Sequence, residues 1–263
     1  MAVSQSSQDY LQGLFGQSGR TAVVTGASSG LGAEMARALV SAGAHVIAVA
    51  RREHRLDALR DGAGGLAGTV TTCVADLGTD AGIDAVAGAV RDRSGCDVLV
   101  ANAGTAEVGN VESMDDESFS RVMALNLNAQ WRLAKALFPA LVESDAGRVI
   151  NIASIHGILA PVRPGLAAYA ASKHALVGLT RTQAVEWAKH GITVNAIAPG
   201  YFPTEMTAEL LASRAAKRLQ QFVPMDRFGA PQELVSALLF LASPASGYVT
   251  GTVVPVDGGW SAW

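Results

Sequence analysis

The chain has 263 residues, of which 49% are hydrophobic and 16% charged, so it can bury a large core and is neither disordered nor fibrous in type. Its formal net charge of -3 at pH 7 gives no general attraction to nucleic acid or to an anionic membrane, so neither is expected as a partner. The length fits one large α/β domain or two small ones. Because no repeat, low-complexity tract or Pro/Gly-rich linker divides the chain, we predict a single domain over residues 1–263.

The first 18 residues are predicted to form a short polar lead. They lack a basic segment followed by an apolar run, so a signal peptide is not expected. No stretch of the chain approaches the ~20 apolar residues of a membrane span. Cys73 and Cys96 have neither metal-ligand nor CxxC spacing and are interpreted as reduced core thiols. A cytoplasmic location is therefore predicted.

Short apolar or β-branched runs alternate with longer helical patterns along the chain, which indicates parallel strands joined by helical crossovers. Most of these runs are continuously apolar, as is typical of strands covered by helices on both faces. We therefore predict an α/β fold with one doubly wound, seven-stranded parallel sheet. The predicted strands are 21–24, 45–49, 70–74, 98–101, 148–152, 193–197 and 252–256.

The clearest helical periodicity covers residues 30–42, 115–142 and 166–190. Residues 199–224 break this rhythm because they contain Pro199, Pro203 and Pro224, and a helix is predicted over 205–219. Loops beyond the carboxyl ends of the strands surround the ligand crevice in such sheets. Residues 199–224 are therefore a candidate substrate lid.

The segment TGASSGLG, residues 25–32, follows the first predicted strand and opens the first helix. Glycines let a backbone turn tightly and approach a pyrophosphate, whose charge then meets free N–H groups at the helix N-terminus. A strand-to-helix turn that binds no ligand is the alternative. The absence of Gly-Lys-Ser/Thr counts against nucleotide hydrolysis. The candidate contacts are Gly26, Ser28, Ser29, Gly30, Leu31 and Gly32.

Five features stand in a fixed order along the chain: TGASSGLG, ANAG at 101–104, Ser154, YAASK at 169–173 and PGYFPT at 199–204. Together they resemble the short-chain dehydrogenase/reductase family, over about residues 19–259. The two ends of the chain are similar to gluconate and deoxygluconate dehydrogenase-like members, and a 3-oxoacyl reductase-like activity is also open. The resemblance implies a single Rossmann-like domain, commonly a homotetramer, with a nicotinamide cofactor and a small carbonyl or alcohol substrate.

The residues after the second strand bear on the choice of cofactor. A dinucleotide fold needs a carboxylate there for the ribose 2'-OH, or a basic group for a 2'-phosphate. Ala50 stands where NAD-using relatives typically have Asp, and Arg51 can pair with a phosphate, with Arg52 as a second candidate. NADP(H) is therefore predicted, mainly through Arg51. Alternatively, both arginines are simply solvated at the start of a helix.

The resemblance implies further cofactor contacts at the later strand ends. Asp76 resembles an acidic residue beside the adenine ring, or it is the N-cap of the next helix. Thr204 resembles a residue that meets the nicotinamide carboxamide, or it is also an N-cap. ANAG has Ala101 where the family usually has asparagine, so one side-chain hydrogen bond is lost. The other implied contacts are Leu77, Asn102, Ala103, Gly104, Tyr169, Lys173, Pro199, Gly200 and Phe202.

Tyr169 and Lys173 are four residues apart in a helical segment, so their side chains share a face. An adjacent ammonium favours the charged form of a phenol, which makes Tyr169 a candidate general acid/base. Ser154 follows a strand, where its hydroxyl can polarise the same substrate oxygen. The alternatives are an ordinary helix-surface pair and a turn serine.

Asn126 resembles the family's helix asparagine, which kinks the helix and holds a water that links Lys173 to solvent. Asn128 is a local competitor, and a buried asparagine bonded to backbone is the other interpretation. No metal site is predicted, because the five histidines are scattered without ligand spacing.

Ser154 and Tyr169 are fifteen positions apart, a longer separation than in many members of the family. The intervening loop is expected to bulge over the pocket, opposite the lid, although a surface loop without a role is the alternative. The candidate substrate contacts are His156, Ile158, Leu159, Val162, Tyr201, Phe202 and Met206.

The function that follows is transfer of hydride between NADP(H) and a ketone or secondary alcohol, with Tyr169 as general acid/base. An NAD-dependent sugar-acid or polyol dehydrogenase is the alternative enzyme. A non-catalytic cofactor-binding regulator on the same fold is the alternative of a different class.

Overall fold

The structure is a computed structural model that describes residues 5–93 and 95–262, so residues 1–4 of the predicted lead lie outside the described residues. Seven parallel strands form one sheet: β1 (Thr21–Thr25), β2 (His45–Ala50), β3 (Thr69–Val74), β4 (Val98–Ala101), β5 (Arg148–Ile152), β6 (Thr193–Pro199) and β7 (Val253–Val256). Their spatial order is β3-β2-β1-β4-β5-β6-β7. The predicted fold class is confirmed.

The described helices are α1 (Gln5–Phe15), α2 (Gly30–Ser41), α3 (Glu53–Asp61), α4 (Asp80–Asp92), α5 (Asp116–Met123), α6 (Ala129–Val142), α7 (Ala167–Trp187), α8 (Ala208–Ala212), α9 (Ala215–Gln220) and α10 (Val235–Ala242). Over the part of the chain that the structure describes, none of them combines the length and the apolar character needed to cross a membrane.

Helices cover both faces of the sheet because successive strand residues point to opposite sides. Val24 of β1 packs in one apolar cluster with Leu39 of α2 and Leu238 of α10. Its neighbour Val23 packs in a second cluster, which includes Leu133 of α6 and residues of α4. All these side chains are buried, which explains why the central strands are continuously apolar.

The sheet order reverses between β1 and β4, and this reversal positions the site. The Thr25 hydroxyl, at the end of β1, accepts hydrogen bonds from the N–H groups of Asn102 and Ala103, which follow β4, both at 2.9 Å. A crevice outside the carboxyl ends of the strands is expected at such a switch point.

Two segments differ from the prediction. The polar lead contains α1, which is tied to the far end of the chain because the Ser243 hydroxyl donates to the Leu14 carbonyl. The single helix predicted over 205–219 is wrong: α8 ends before Ser213, which is extended (φ -85°, ψ 165°). The Ser213 hydroxyl accepts a hydrogen bond from the Ala215 N–H at 3.1 Å, which favours the start of a new helix, α9, at Ala215.

Candidate active site

A cleft of about 510 Å³ lies at the carboxyl ends of the strands. Every residue predicted to contact the cofactor lines it, and so do the catalytic candidates Ser154, Tyr169 and Lys173. Asn126 is fully buried and lies outside this lining, and of the substrate candidates only Phe202 and Met206 are part of it. The motifs that are distant in sequence therefore meet in one place.

The glycine turn fits a dinucleotide because it has no room for side chains. Gly26 has a positive φ of 67°, and a Cβ on Gly32 would lie 2.2 Å from the Gly26 carbonyl oxygen and 2.5 Å from Asn102 Nδ2. Asn102 Nδ2 in turn donates to the Thr25 carbonyl at 2.8 Å, which holds the turn against β4. The close packing leaves the backbone at the start of α2 facing the cleft, as pyrophosphate binding requires.

Arg52, more than Arg51, faces the glycine turn. Its guanidinium donates to the Ser28 hydroxyl at 3.0 Å and to the Ser29 hydroxyl at 2.8 Å. Arg51 points elsewhere, 4.0 Å from Asp76, with its side chain 74% exposed. Arg51 was predicted to have the main role, but the geometry makes Arg52 the better-placed partner for a phosphate.

Glu205 was missed by the sequence analysis, although it follows Thr204 directly. Its carboxylate pairs with Arg52 at 2.9 Å and with Arg55 at 3.7 Å, and so ties the candidate lid to the cofactor side of the cleft. The Arg52 hydrogen bond, followed by one from Ser29, lowers the pKa of Glu205 below its usual range. The Glu205 carboxylate therefore forms an ion pair with Arg52, the same guanidinium that would bind a phosphate of the cofactor.

Neither proposed N-cap is found. Asp76 accepts from the Gly78 N–H at 2.9 Å, while the N-cap of α4 is Thr79, whose hydroxyl accepts from the Gly82 N–H. Thr204 donates its N–H to the Thr207 hydroxyl at 2.9 Å, and no helix starts beside it. Asp76 and Thr204 both line the cleft, and the Thr204 hydroxyl is also 3.0 Å from the Thr207 hydroxyl.

The Tyr169 phenol is protonated at neutral pH. Burial raises its pKa, and the hydrogen bond from Ser154, which acts in the opposite direction, is the smaller effect. The Ser154 hydroxyl accepts from the His156 N–H at 3.1 Å, which leaves its own proton free to point at Tyr169 or at a substrate oxygen. The pair is therefore arranged to donate two hydrogen bonds to one substrate oxygen.

Lys173 is 4% exposed and donates to the Ile152 carbonyl at 2.7 Å. Its Nζ lies 5.7 Å from the centroid of the Tyr169 ring, and burial lowers its pKa to about 8. The pKa of Tyr169 is raised by burial, whereas the spacing of Tyr169 and Lys173 in the sequence had suggested a lowered pKa. Lys173 is held in the cleft mainly by the backbone of β5.

Asn126 lies in a π-helical turn, Ala124–Asn128, that joins α5 to α6. Its side chain accepts from the Thr105 N–H at 2.8 Å and donates to the Thr105 carbonyl at 2.9 Å and to the Ser172 hydroxyl at 3.0 Å. It thus clamps the loop after β4 onto α7, one residue from Lys173. The predicted helix over 115–142 is interrupted at this turn, where such bulges often mark functional sites.

Apart from Phe202, the predicted substrate residues separate into three pairs. Ile158 and Leu159 are partly buried and pack against apolar clusters of the interior. His156 and Tyr201 are buried together, with His156 Nε2 at 3.2 Å from the Tyr201 hydroxyl, beside the ring of Tyr169. Met206 is exposed at the cleft, and Val162 is exposed on the loop.

Comparison with known proteins agrees with this geometry. A family profile described as enoyl-(acyl carrier protein) reductase matches residues 26–261. The chain belongs to the short-chain dehydrogenase/reductase family. It is 38% identical to gluconate 5-dehydrogenase of Gluconobacter oxydans, over 94% of this chain and 96% of that protein. It is 39% identical to the 3-oxoacyl-(acyl-carrier-protein) reductase of Vibrio cholerae, over 92% of this chain and 97% of that protein.

A solved structure described as a putative NAD(P)-dependent gluconate 5-dehydrogenase from Beutenbergia cavernae, with bound NADP, has a TM-score of 0.88. It is 41% identical and covers 95% of this chain and all (100%) of that one. The resemblance to this family and to its gluconate dehydrogenase-like and 3-oxoacyl reductase-like members is confirmed. As a member of the short-chain family the protein is an oxidoreductase that acts on CH–OH and C=O groups.

Proposed function

We propose that the protein transfers hydride between NADP(H) and a ketone or secondary alcohol, with Tyr169 as the general acid/base. The observation that carries the proposal is the meeting of Tyr169 and Ser154 with the glycine turn and Arg52 along one cleft. A bound nicotinamide supplies or accepts the hydride. The side chains of this protein bind the substrate oxygen and transfer the proton.

In the reductive direction the carbonyl oxygen accepts hydrogen bonds from the Ser154 hydroxyl and the Tyr169 phenol. Charge develops on that oxygen as the carbon is reduced, and the Tyr169 proton is transferred to it. The raised pKa of Tyr169 keeps the phenol protonated and ready to donate. Lys173 is held at the Ile152 carbonyl, and a phenolate formed at Tyr169 gains from the ammonium on the next helical turn.

Discrimination for NADP(H) is assigned to Arg52 together with Ser28 and Ser29. These three groups already form hydrogen bonds with one another at the edge of the cleft, and Ala50 lines the same region without a carboxylate. A guanidinium with two neighbouring hydroxyls suits a phosphate monoester. The NADP bound in the Beutenbergia relative supports this choice.

Replacing Arg52 is expected to impair use of NADPH selectively. In Arg52→Gln, kcat/KM for NADPH should fall about 10- to 100-fold, because a charge-assisted contact to the 2'-phosphate is lost, while that for NADH should change little. The matched variant is Arg51→Gln. The Arg51 side chain points to Asp76, so this substitution should lower kcat/KM for NADPH much less. A larger loss in Arg51→Gln would return the main role to Arg51. Steady-state kinetics with both cofactors measures this.

The opposite change is expected at Glu205. In Glu205→Gln the affinity for NADPH should rise several-fold, because the carboxylate no longer competes for Arg52. The rise should shrink at high salt, since both partners are partly exposed. Fluorescence titration of NADPH at two salt concentrations checks this, with Glu209→Gln on α8 as the control. Weaker NADPH binding in Glu205→Gln would show that Glu205 supports the cofactor site.

The lid function of residues 199–224, the homotetramer and the cytoplasmic location stay predictions. Met206 at the cleft and the ion pair of Glu205 with Arg52 support the lid. Light scattering of the purified protein measures the oligomeric state directly.

A further inference from the structure

Arg52 is held by the glycine turn and by the lid at the same time, through different nitrogens of its guanidinium. Nε and Nη2 donate to the Ser28 hydroxyl at 3.3 and 3.0 Å, and Nη2 also donates to the Ser29 hydroxyl at 2.8 Å. Nη1 pairs with the Glu205 carboxylate at 2.9 Å. The two serines therefore fix the guanidinium, and the lid carboxylate binds its remaining nitrogen.

A phosphate monoester at this position is compatible with the two serines but not with the carboxylate. A serine hydroxyl can turn and donate its own hydrogen bond to a phosphate oxygen, whereas an ionised carboxylate only accepts. The hydrogen bond with Arg52 lowers the pKa of Glu205, which is therefore ionised at neutral pH. A phosphate monoester carries a charge of about -1.5 to -2 at neutral pH and repels this carboxylate. A 2'-phosphate that binds Arg52 must therefore displace Glu205.

Arg55, one helical turn after Arg52, is placed to keep the displaced carboxylate. Its Nη2 is 3.7 Å from Glu205 Oε1, the oxygen that does not pair with Arg52. Within residues 5–93 and 95–262, Arg55 forms no other ion pair. A second cavity, of about 610 Å³, opens on this side and is lined by Arg55, Glu205 and Ala208 of α8. The carboxylate can therefore leave Arg52 and still remain beside a cation.

The turn that carries Glu205 leads directly into α8. The Thr207 hydroxyl accepts from the Thr204 N–H at 2.9 Å and donates to the Phe202 carbonyl at 2.5 Å, so the backbone here forms one compact turn. The first residue of α8 follows Thr207 directly. The ion pair with Arg52 therefore tethers this whole turn, and α8 with it, to the glycine turn of the cofactor site.

We propose that Glu205 senses the 2'-phosphate of the cofactor, and that cofactor choice controls the lid through this residue. Binding of the phosphate to Arg52 displaces the Glu205 carboxylate, which keeps only its longer contact with Arg55, and α8 is released from the glycine turn. NAD(H), which has a 2'-hydroxyl there, leaves the ion pair in place. This inference rests on the proposed function, because it takes Arg52 as the phosphate-binding residue. The coupling is reciprocal, so the ion pair weakens phosphate binding by the factor by which the phosphate weakens the ion pair.

The test uses two nucleotides that differ only in the 2'-phosphate, adenosine 2',5'-bisphosphate and 5'-AMP, so no carbonyl substrate is needed. Hydrogen–deuterium exchange of the backbone N–H groups of α8 reports how tightly the lid is held. In wild type, saturating bisphosphate should raise the exchange rate about two- to fivefold, as expected for the loss of a partly exposed ion pair. Saturating 5'-AMP should leave the rate unchanged.

Glu205→Gln is the decisive variant. Without any ligand its α8 should exchange about two- to fivefold faster than in wild type, and the bisphosphate should cause no further rise. Calorimetry should show at the same time that this variant binds the bisphosphate more tightly than wild type does, so the missing response does not reflect missing binding. Glu209→Gln removes an exposed carboxylate from α8 itself and is the control, which should respond as wild type does.

Equal responses of wild type to the two nucleotides, or a response that persists in Glu205→Gln, would overturn the inference. A slower or unchanged exchange rate of α8, although the bisphosphate binds more tightly than 5'-AMP, would overturn it as well and leave the proposed function intact. If calorimetry shows that wild type binds the bisphosphate no more tightly than 5'-AMP, the proposed preference for NADP(H) fails, and the inference fails with it.

Discussion

Tyr169→Phe should lower kcat for carbonyl reduction by at least about a hundredfold while leaving NADPH affinity nearly unchanged. General acid catalysis contributes typically 10²–10⁴-fold, and this substitution removes the only proton that Tyr169 can donate while keeping its ring. The ring packs against His156 and lies over Lys173, so the local structure should persist. Single-turnover oxidation of bound NADPH measures the chemical step, and fluorescence titration measures the cofactor affinity.

The matched control for this prediction is Tyr248→Phe, because Tyr248 is fully exposed and lies far along the chain from the cleft residues. It should react as fast as wild type. Wild-type rates in Tyr169→Phe would refute the assignment of the acid. An equal loss of NADPH affinity would mean that the phenol helps to hold the cofactor and that its catalytic share is smaller.

The strands could be predicted because their signal is local. Strands that helices cover on both faces are rich in apolar residues, and the predicted bounds of β1 to β7 lie within two residues of those observed. The glycine turn was equally readable, since Gly32 packs against the Gly26 carbonyl within the same short motif. The parallel, seven-stranded sheet followed from the alternation of strands and helices together with the family resemblance, whereas the spatial order of the strands was not predicted.

The other features of the site depend on contacts between residues that are distant in the sequence. Asn126 sits in a π-helical turn because its side chain bonds Thr105, 21 residues earlier, and Ser172, 46 residues later. The two neighbours Arg51 and Arg52 look alike in sequence, yet their directions depend on Asp76 and Glu205, which come from different segments. The sequence spacing suggested a lowered pKa for Tyr169, but burial, which spacing alone does not reveal, raises it.

The predicted substrate residues also include features that are visible locally in the sequence and features that depend on long-range contacts. The long loop was visible as a spacing of fifteen positions between Ser154 and Tyr169. The contact between His156 Nε2 and the Tyr201 hydroxyl, at 3.2 Å, joins residues 45 positions apart and was not visible in the sequence.

The glycine turn gives the second prediction with a large effect. In Gly32→Ala the new Cβ would lie 2.2 Å from the Gly26 carbonyl oxygen and 2.5 Å from Asn102 Nδ2, so the turn must move away from β4. We expect NADPH affinity to fall at least about tenfold, since a shift of the backbone N–H groups weakens every contact to the pyrophosphate. The free energy of unfolding should fall by about 1–3 kcal/mol from the forced overpacking.

Gly178→Ala is the matched control, because Gly178 lies in the interior of α7 and a Cβ there meets nothing within 4 Å. Alanine is favoured over glycine inside a helix by about 1 kcal/mol, so this variant should unfold at a slightly higher temperature than wild type. It should bind NADPH as well as wild type does. Thermal unfolding and NADPH titration of both variants separate the two effects. If Gly32→Ala keeps wild-type NADPH affinity, the pyrophosphate does not lie against this turn, and the cofactor orientation proposed for Arg52 fails with it.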